Sequence, residues 1–597
     1  MTVQERIQKY EVLATDSRRN IDRLKKRIYF HGIFRLVLFA GSFFVVYALT
    51  RDLWLLAVVL LLLAVAFAWS LQQHNRLADE RESAESLLRI AENELKAFHH
   101  DFSAFDGASG NIDPSHPFSF DLDIFGDRSV FQQINRTSLP AGKERLAEII
   151  QFPLTKKEAI IDRQKAISEL AGKEGFCLRF RMSGLKISSP NGSDARFIFT
   201  TNAENGLSQH LFWKSAVRIV PLLYPVFIVL WFAGIAPGGL FLYLYLFTLA
   251  LSLLPMKKVK MTWLLFDKKS KLLNTYASLL KLLEHEKMDT PLLISLQKQL
   301  GHNKKASEAI GELSRYSRNL DVGFTLAMLI LNPLFLWTTL YALKIENWMK
   351  KHGRDIETWF AVLAEMDALI SLGTFACNRP DYIYPEISDI PCFRGKELGH
   401  PLIPREKCVT NDIDISRKPF FMIVTGANMA GKSTYLRTVG VNHVLASVGL
   451  PVCADELTFY PGRLLTNLRT SDSLVNSESY FMAELKRLRM IIDRLESDEE
   501  GLLIILDEIL KGTNSEDKQW GSLALMKRLT GLGGNGIIAT HDLALGSLEN
   551  EFPREIKNWH FDAVICEDVL TFDYKLREGI ARNMNASFLM RKMGITE

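Results

Sequence analysis

The chain contains 597 residues, with a formal net charge of +4 and six cysteines. This length is sufficient for three or four domains. The nearly balanced charge does not by itself indicate a nucleic-acid partner. The cysteines are scattered with no C-x-x-C pair, which argues against a disulfide framework or a cysteine zinc site and indicates a reducing, cytosolic environment for the polar segments.

The first hydrophobic block follows a polar, helical N-terminal segment, residues 1–27, that ends in basic residues. Its two apolar runs, 33–49 and 53–71, are separated by a single short polar turn. Because about 20 apolar residues cross a bilayer core, we predict a transmembrane helical hairpin over residues 28–72. The basic residues place the N-terminus on the cytosolic side, and the long polar lead argues against a cleaved signal peptide. The alternative is a buried helical hairpin of a soluble protein.

The next segment, residues 73–117, is predicted to be an amphipathic helix followed by a turn-rich linker. From Phe118 the chain reads F-S-F-D-L-D-I-F-G, then I-N-R-T-S-L-P-A-G, then P-L, and from Arg163 it reads R-Q-K-A-I-S-E-L. This series resembles the start of the core domain of the MutS family of DNA mismatch repair ATPases. The resemblance implies that residues 118–212 form the first part of an all-α, MutS-like core domain.

A second hydrophobic block, residues 213–256, contains two apolar runs around the turn A-P-G-G, and basic residues follow it. We predict a second transmembrane hairpin, with the basic residues on the cytosolic side. Its prolines are compatible with membrane-spanning helices.

A third apolar stretch, residues 323–343, contains an Asn-Pro pair. We favour a core helix over a fifth span, because an odd number of spans would place the C-terminal region on the side away from ATP; the fifth span stays an alternative. Residues 257–395 as a whole are expected to be the second, helical part of the core domain. Within them, W-F-A-V-L-A-E-M-D-A-L-I-S-L from Trp359 resembles a helix of the MutS core.

The C-terminal region, residues 396–597, contains the phosphate-loop sequence T-G-A-N-M-A-G-K-S-T between an apolar strand pattern and a helical pattern. That context is the one the motif requires. Backbone N–H groups and the helix N-terminus would bind a triphosphate, with Lys432 at the β and γ phosphates and Ser433 on Mg²⁺. The predicted nucleotide-binding residues are Gly426, Ala427, Asn428, Met429, Ala430, Gly431, Lys432, Ser433 and Thr434.

Two further apolar strand patterns end in polar residues. The first ends in Asp507 and Glu508, a Walker B arrangement in which Asp507 would reach Mg²⁺, directly or through water, and Glu508 would orient the attacking water and accept its proton. The second ends in Thr540 and His541, and we predict that His541 senses the γ-phosphate. The predicted catalytic residues are therefore Glu508, His541 and Lys432, and the predicted metal ligands are Ser433 and Asp507.

The order of these motifs, together with S-E-S-Y-F-M-A-E from Ser477, resembles the MutS ATPase throughout. The resemblance implies an ABC-like P-loop ATPase domain that uses ATP and Mg²⁺. It also implies a homodimer in which Ser479 of one subunit faces the ATP bound to the other. Asn428 lies at the family's phosphate-loop asparagine, and His560 falls where the family packs a histidine near the adenine.

The chain also departs from the family. Ala430 stands where most members have glycine, and Tyr480 where many have threonine. We expect the mismatch-reading N-terminal domain to be missing, and the second hairpin lies about where the family inserts its DNA-gripping clamp.

The overall expectation is a multidomain α and α/β protein of the inner (cytoplasmic) membrane, multi-pass, with its ATPase domain in the cytosol. Two functions stay open. One is a membrane-anchored ATPase that binds mismatched or branched DNA without base readout. The other is a mechanochemical ATPase whose dimerisation moves the hairpins in the lipid bilayer, with no DNA substrate.

Overall fold

The computed structural model contains two compact units, each assembled from separate stretches of the chain. Unit 1 comprises Met1–Arg136, Glu144–Glu174 and Leu369–Glu597, and unit 2 comprises Thr137–Lys143 and Gly175–Ala368. The protein is therefore multidomain, as predicted. The residues that the structure describes are 1–48, 53–187, 206–301, 305–427, 429–469, 480–497, 501–566 and 569–581.

Long helices and two sheets make up the described residues. The helices are α1 (Val3–Ala48), α2 (Leu53–Phe98), α3 (Val130–Ile134), α4 (Pro140–Gln151), α5 (Lys157–Gly172), α6 (Glu174–Gly184), α7 (Leu211–Phe232), α8 (Leu240–Leu253), α9 (Met256–Phe266), α10 (Ser270–His285), α11 (Pro291–Lys298), α12 (Ala306–Val322), α13 (Met328–Phe335), α14 (Trp337–Asn378), α15 (Lys432–Val448), α16 (Tyr480–Glu496), α17 (Ser515–Gly531) and α18 (Leu548–Glu551). The strands are β1 (Glu386–Ile387), β2 (Phe393–Leu398), β3 (Asn411–Ile415), β4 (Phe420–Gly426), β5 (Glu456–Phe459), β6 (Leu464–Asn467), β7 (Leu503–Asp507), β8 (Asn535–Ala539), β9 (Ile556–Cys566) and β10 (Val569–Glu578).

The first two helices of unit 1 form a long antiparallel pair. Their polar halves pack through two apolar clusters, one around Leu24 and Leu77 and one around Tyr10 and Ala91. Their apolar halves expose large side chains instead, including Phe43 at 64%. The polar segments that the sequence suggested as separate elements are thus continuous with the apolar ones, because a change in side-chain polarity does not interrupt backbone hydrogen bonding along a helix.

Four helices in the described part of the chain are long and apolar enough to cross a membrane, judged by length and composition alone: α1, α2, α7 and α14. Each of these helices contains an apolar stretch of 18 residues, which we call its apolar window. The apolar window of α14 is 83% buried inside the protein, whereas those of α1 and α2 are 0% and 6% buried. A fifth candidate is the bent pair α8 and α9, whose axes differ by 61°. The first predicted hairpin thus coincides with two helices of suitable length, and the second with one such helix and the bent pair. Membrane insertion itself stays a prediction.

The third apolar stretch, residues 323–343, is divided between two helices of unit 2. The helical conformation is interrupted at Leu336, whose φ of +48° lies in the left-handed region. Across the interruption, Asn332 Oδ1 accepts a hydrogen bond from the Thr338 N–H (3.1 Å). The part after the break is the buried start of α14. The part before it is α13, which leaves Leu329 and Ile330 exposed. The expectation of one core helix therefore holds only for the second half.

The C-terminal part of unit 1 contains both sheets. One has four strands in the order β1-β5-β2-β3, and the other has six in the order β10-β9-β4-β8-β7-β6. In the larger sheet all neighbouring strands are parallel except the edge strand β10, which is antiparallel to β9. Every residue of β4, β7 and β8 is buried, as expected for parallel strands covered on both faces.

The F-S-F-D-L-D segment is held against this region by two aspartates of unit 1. Asp121 accepts hydrogen bonds from Thr466 Oγ1 (2.6 Å) and from the backbone N–H of Arg469 (3.0 Å). Asp123 pairs with the Arg469 guanidinium and with that of Arg437 on α15, the latter at 3.1 Å. The segment after α2 is therefore connected directly to the helix that follows the phosphate loop.

Candidate nucleotide-binding site

The sheet brings three of the predicted motifs to one edge. Strand β8 lies between β4 and β7, and Ala539 at its end is level with Val424 of β4 and with Asp507 of β7. Because the strands are parallel, the loops that follow them emerge side by side, which is where open α/β sheets bind ligands. The phosphate loop, the Asp507–Glu508 pair and His541 therefore meet, as the sequence predicted.

Two glycines of the phosphate loop adopt backbone conformations that L-residues rarely take. Gly426 has a φ of +146° and Gly431 a φ of +105°. A Cβ at Gly426 would lie 2.7 Å from the carbonyl oxygen of Phe561 on the neighbouring strand β9. Glycine is thus required at the start of the loop for both conformation and space. Helix α15 begins directly afterwards, at Lys432, so its N-terminus lies beside the loop as phosphate binding requires.

Lys432 lies folded over the loop. Its Nζ donates hydrogen bonds to the carbonyl oxygens of Gly426 (2.8 Å) and Ala427 (3.0 Å) and lies 3.3 Å from His541 Nε2. Only 5% of the residue is exposed. Burial lowers the pKa of Lys432 to about 8, and the nearby Glu508 and Asp507 carboxylates oppose that shift. A bound triphosphate would favour the charged form.

Ser433 and Asp507 are in direct contact. Ser433 Oγ donates a hydrogen bond of 2.6 Å to Asp507 Oδ2. The second carboxylate oxygen, Asp507 Oδ1, is buried with no hydrogen-bond partner. A buried carboxylate oxygen without a partner is costly, and carboxylate and hydroxyl oxygens are ligands that Mg²⁺ accepts when phosphates and waters complete its shell. These two residues therefore fit the predicted metal site.

Glu508 forms the most strongly perturbed acid of the site. Its Oε1 lies 2.7 Å from His541 Nε2, and the Lys511 ammonium lies 3.6 Å from its other oxygen. The hydrogen bond from His541, with further contributions from Lys511 and Lys432, lowers the pKa of Glu508 to about 2. Glu508 is therefore ionised at neutral pH, as required of a group that orients a water molecule by accepting its hydrogen bond.

A cavity of about 410 Å³ contains these groups. Eight of the predicted residues line it: Ala427, Met429, Gly431, Lys432, Ser433, Thr434, Glu508 and His541. Its other wall comes from residues that were not among the predicted site residues, including Val409, Asn411, Phe561 and Tyr574. Asn411 fixes this wall, since its amide donates to the Tyr574 carbonyl (2.9 Å) and accepts from the Leu576 N–H (2.8 Å).

Four described residues of the predicted site do not line the cavity: Gly426, Ala430, Asp507 and His560. His560 is on β9, where its Nδ1 lies 3.1 Å from the Gly579 carbonyl oxygen, and its neighbour Phe561 points to the cavity instead. Adjacent side chains of a strand face opposite sides, so the adenine-packing role of His560 stays a prediction. Asn428 and Ser479 lie outside the described residues.

Comparison with known families gives a match in this region. Residues 422–591 match the family model of MutS domain V. The predicted resemblance to the MutS family is thus supported for the part of the chain that carries the site. The match begins inside β4 and includes the phosphate loop, the Walker B pair and His541.

Curated relatives carry the same family names. MutS protein homolog 4 of Homo sapiens is 27% identical over 265 residues, covering 43% of this chain and 28% of that protein. DNA mismatch repair protein MutS of Chloroflexus aurantiacus is 32% identical over 239 residues, covering 39% of this chain and 24% of that protein. DNA mismatch repair protein msh3 of Aspergillus oryzae is 32% identical over 230 residues, covering 37% of this chain and 20% of that protein. The chain thus spans less than a third of the length of these relatives.

Proposed function

We propose that the protein is a MutS-class ATPase that hydrolyses ATP with Mg²⁺. The observation that carries this proposal is the meeting of Lys432, Ser433 and the Glu508–His541 pair in one cavity, with Asp507 hydrogen-bonded to Ser433, at the ends of three adjacent parallel strands. The match to MutS domain V supports it.

Each side chain has a defined task in this proposal. The loop N–H groups and Lys432 bind the β and γ phosphates. Ser433 and Asp507 hold Mg²⁺, which supplies charge neutralisation to the phosphates when bound. Glu508 orients the attacking water and accepts its proton. His541 holds Glu508 ionised and lies close enough to Lys432 to contact a γ-phosphate bound there.

A pKa of about 2 is low for a general base acting at neutral pH. In our proposal the His541–Glu508 hydrogen bond is therefore exchanged during turnover: His541 turns to the γ-phosphate and releases the carboxylate. Loss of the hydrogen bond that contributes most to the shift would raise the pKa of Glu508 toward its ordinary value.

We further propose a homodimer with composite ATP sites, in which Ser479 contacts the γ-phosphate bound by the other subunit. Mixing Lys432→Ala with Ser479→Ala subunits should restore one working site per heterodimer, up to half of the wild-type activity per dimer. Each variant alone should be inactive. Absence of rescue in confirmed heterodimers would exclude the composite site.

For the substrate, the first candidate is mismatched or branched DNA, bound by a membrane-anchored protein. The names of the relatives, DNA mismatch repair protein MutS and msh3, support it. We expect contacts mainly to the phosphate backbone, which position a protein on DNA without reading its sequence.

The second candidate is a mechanochemical ATPase that moves its hairpins and uses no DNA. The observation that favours it is a buried ion pair between α2 and the segment that follows. Arg136 Nε donates to both Glu94 carboxylate oxygens at 2.9 Å, and the two side chains are 5% and 0% exposed. Together with the ion pair between Asp123 and Arg437, this pair connects α15, the helix after the phosphate loop, to α2, which continues into the first apolar hairpin.

One experiment separates the two candidates. Fluorescence anisotropy and ATPase rates of the detergent-solubilised, full-length protein are measured with homoduplex, mismatched and branched DNA at two salt concentrations. The first candidate predicts binding at low salt that weakens as salt rises, because phosphate contacts release counterions. ATP hydrolysis without binding to any DNA at low salt would favour the second candidate.

A further inference from the structure

The second hydrophobic block, which lies in unit 2, is flanked at both ends by basic residues with no acidic residues among them. Residues 206–266 contain five lysines and arginines and no aspartate or glutamate. Two of the five are in the first turns of α7, and three are in the first turns of α9. The members of this basic group are Lys214, Arg218, Lys257, Lys258 and Lys260.

The fold gathers these residues at one end of the hairpin. Trp213 and Val217 of α7 pack near Leu251 of α8 in one apolar cluster, so the beginning of α7 lies beside the end of α8. Lys258 Nζ at the start of α9 is 3.0 Å from the His210 Nε2 that precedes α7. The basic group therefore lies at the open end of the hairpin, opposite the turn between α7 and α8.

Helix α9 has the form of an interfacial helix. It turns by 61° from α8, and it combines its lysines with exposed Met261 (66%) and Leu264 (59%). Basic and apolar residues on one helix that crosses the direction of a spanning helix are typical of a segment lying in the headgroup region of a bilayer. The neighbouring hairpin exposes apolar side chains of the kind that face lipid: Leu222, Val226, Val229, Leu242, Leu246 and Phe247.

The basic group also lacks carboxylate partners among the described residues of unit 2. Ion pairs of the described part of unit 2 form elsewhere, as between Arg179 and Glu286 and between Lys287 and Asp289. Within that same part, none of the five basic side chains pairs with a carboxylate. Their charge is therefore available to an anion from outside the protein.

We propose that the basic group binds the phosphate headgroups of anionic phospholipids, which makes the protein selective for negatively charged bilayers. The inference rests on the proposed membrane insertion of the hairpin. Phospholipid fits better than DNA because acyl chains would cover the adjacent exposed apolar helices, whereas DNA phosphates offer them no apolar partner. Basic residues beside a spanning helix attract anionic headgroups by charge.

The test measures lipid retained by the full-length protein after extraction from vesicles of phosphatidylcholine with a minor fraction of phosphatidylglycerol. Native mass spectrometry counts the two lipids on the wild type and on the Lys257→Gln, Lys258→Gln, Lys260→Gln variant. The wild type should retain phosphatidylglycerol preferentially. The variant should lose at least about fivefold of that preference, the factor associated with one surface-bound basic residue.

Matched variants separate charge from folding. Lys281→Gln, Lys298→Gln, Lys305→Gln removes the same charge from exposed positions of unit 2 and should behave as the wild type. Lysine-to-arginine changes at the three test positions should keep the preference. Equal retention by the wild type and the test variant would overturn the proposal, and so would loss of DNA binding with lipid retention unchanged.

Two readouts identify which proposal fails. Release of the wild-type protein from membranes without detergent would show that the membrane insertion itself is wrong. ATP hydrolysis, measured on the same samples, reports the nucleotide site independently of the lipid result.

Discussion

Lys432 combines burial with a position at the centre of the site's charges. Its ammonium group lies between the loop carbonyls and His541, and burial holds its pKa at about 8 instead of the ordinary 10.5. A lysine with a depressed pKa is protonated in the unfolded chain but not in the folded protein between those two values. Its burial therefore opposes folding below pH 8, and that unfavourable contribution is relieved as the pH rises from about 8 to 10.5.

The same shift predicts how ATP binding depends on pH. Because the phosphates favour charged Lys432, binding above pH 8 requires proton uptake, and the affinity should fall by up to about tenfold per pH unit there. Calorimetric titration with a non-hydrolysable ATP analogue and Mg²⁺ between pH 7 and 9.5 measures this. Lys432→Arg, which stays charged throughout the range, should lose this pH dependence. An identical slope for both proteins would show that Lys432 does not titrate in the site.

At the scale of elements, the close spacing of strands β7 and β8 determines which substitutions are tolerated beside the site. Gly536 of β8 is level with Ile504 of β7, and a Cβ on Gly536 would lie 2.1 Å from the Ile504 carbonyl oxygen. No residue other than glycine fits there without separating the two strands whose ends carry Glu508 and His541.

We predict that Gly536→Ala destabilises this part of unit 1 by about 1–3 kcal/mol, the usual range for overpacking a buried site. Gly531→Ala is the matched control, because nothing lies within 4 Å of a Cβ at that position; its effect should stay within about 0.5 kcal/mol. Chemical denaturation followed by tryptophan fluorescence compares them. Equal stability of the two variants would contradict the observed strand spacing.

The strands and helix of the site could be predicted from the sequence because each is an apolar run next to a phosphate-binding or acidic motif. The helical pattern predicted after the phosphate loop is α15, Lys432–Val448. The wall formed by Asn411 and Tyr574 could not be predicted, because those residues are 163 positions apart and only the sheet brings them together. The sequence also did not predict that the polar and apolar parts of α1 form one helix, and likewise those of α2, since side-chain polarity does not mark a break in the backbone.

At the scale of the whole molecule, the proposed topology has four spans, with both termini and the ATPase region in the cytosol. Three of those spans coincide with single helices of suitable length, α1, α2 and α7, and the fourth is the shorter α8, from which α9 bends away by 61°. Burial of the apolar window of α14 supports an even number of spans, which leaves the nucleotide site on the same side as the N-terminus.

Single cysteines in a cysteine-free background test this arrangement in intact cells. A membrane-impermeant thiol reagent should label Asp52→Cys and Gly238→Cys, which follow the first span of each hairpin, and should not label Thr596→Cys. Permeabilised cells provide the control that Thr596→Cys is reactive once reached. Labelling of Thr596→Cys from outside would contradict the proposed topology.

The most direct test of the nucleotide-site account is single-turnover phosphate release by the full-length protein and its Glu508→Gln variant, with ATP binding measured in parallel. We predict that Glu508→Gln binds ATP but releases phosphate about 10²–10⁴-fold more slowly, the range for loss of a general base. Glu551→Gln makes the same chemical change at an exposed glutamate paired with Lys527 and should leave the rate unchanged. Phosphate release by Glu508→Gln at the wild-type rate would contradict the account.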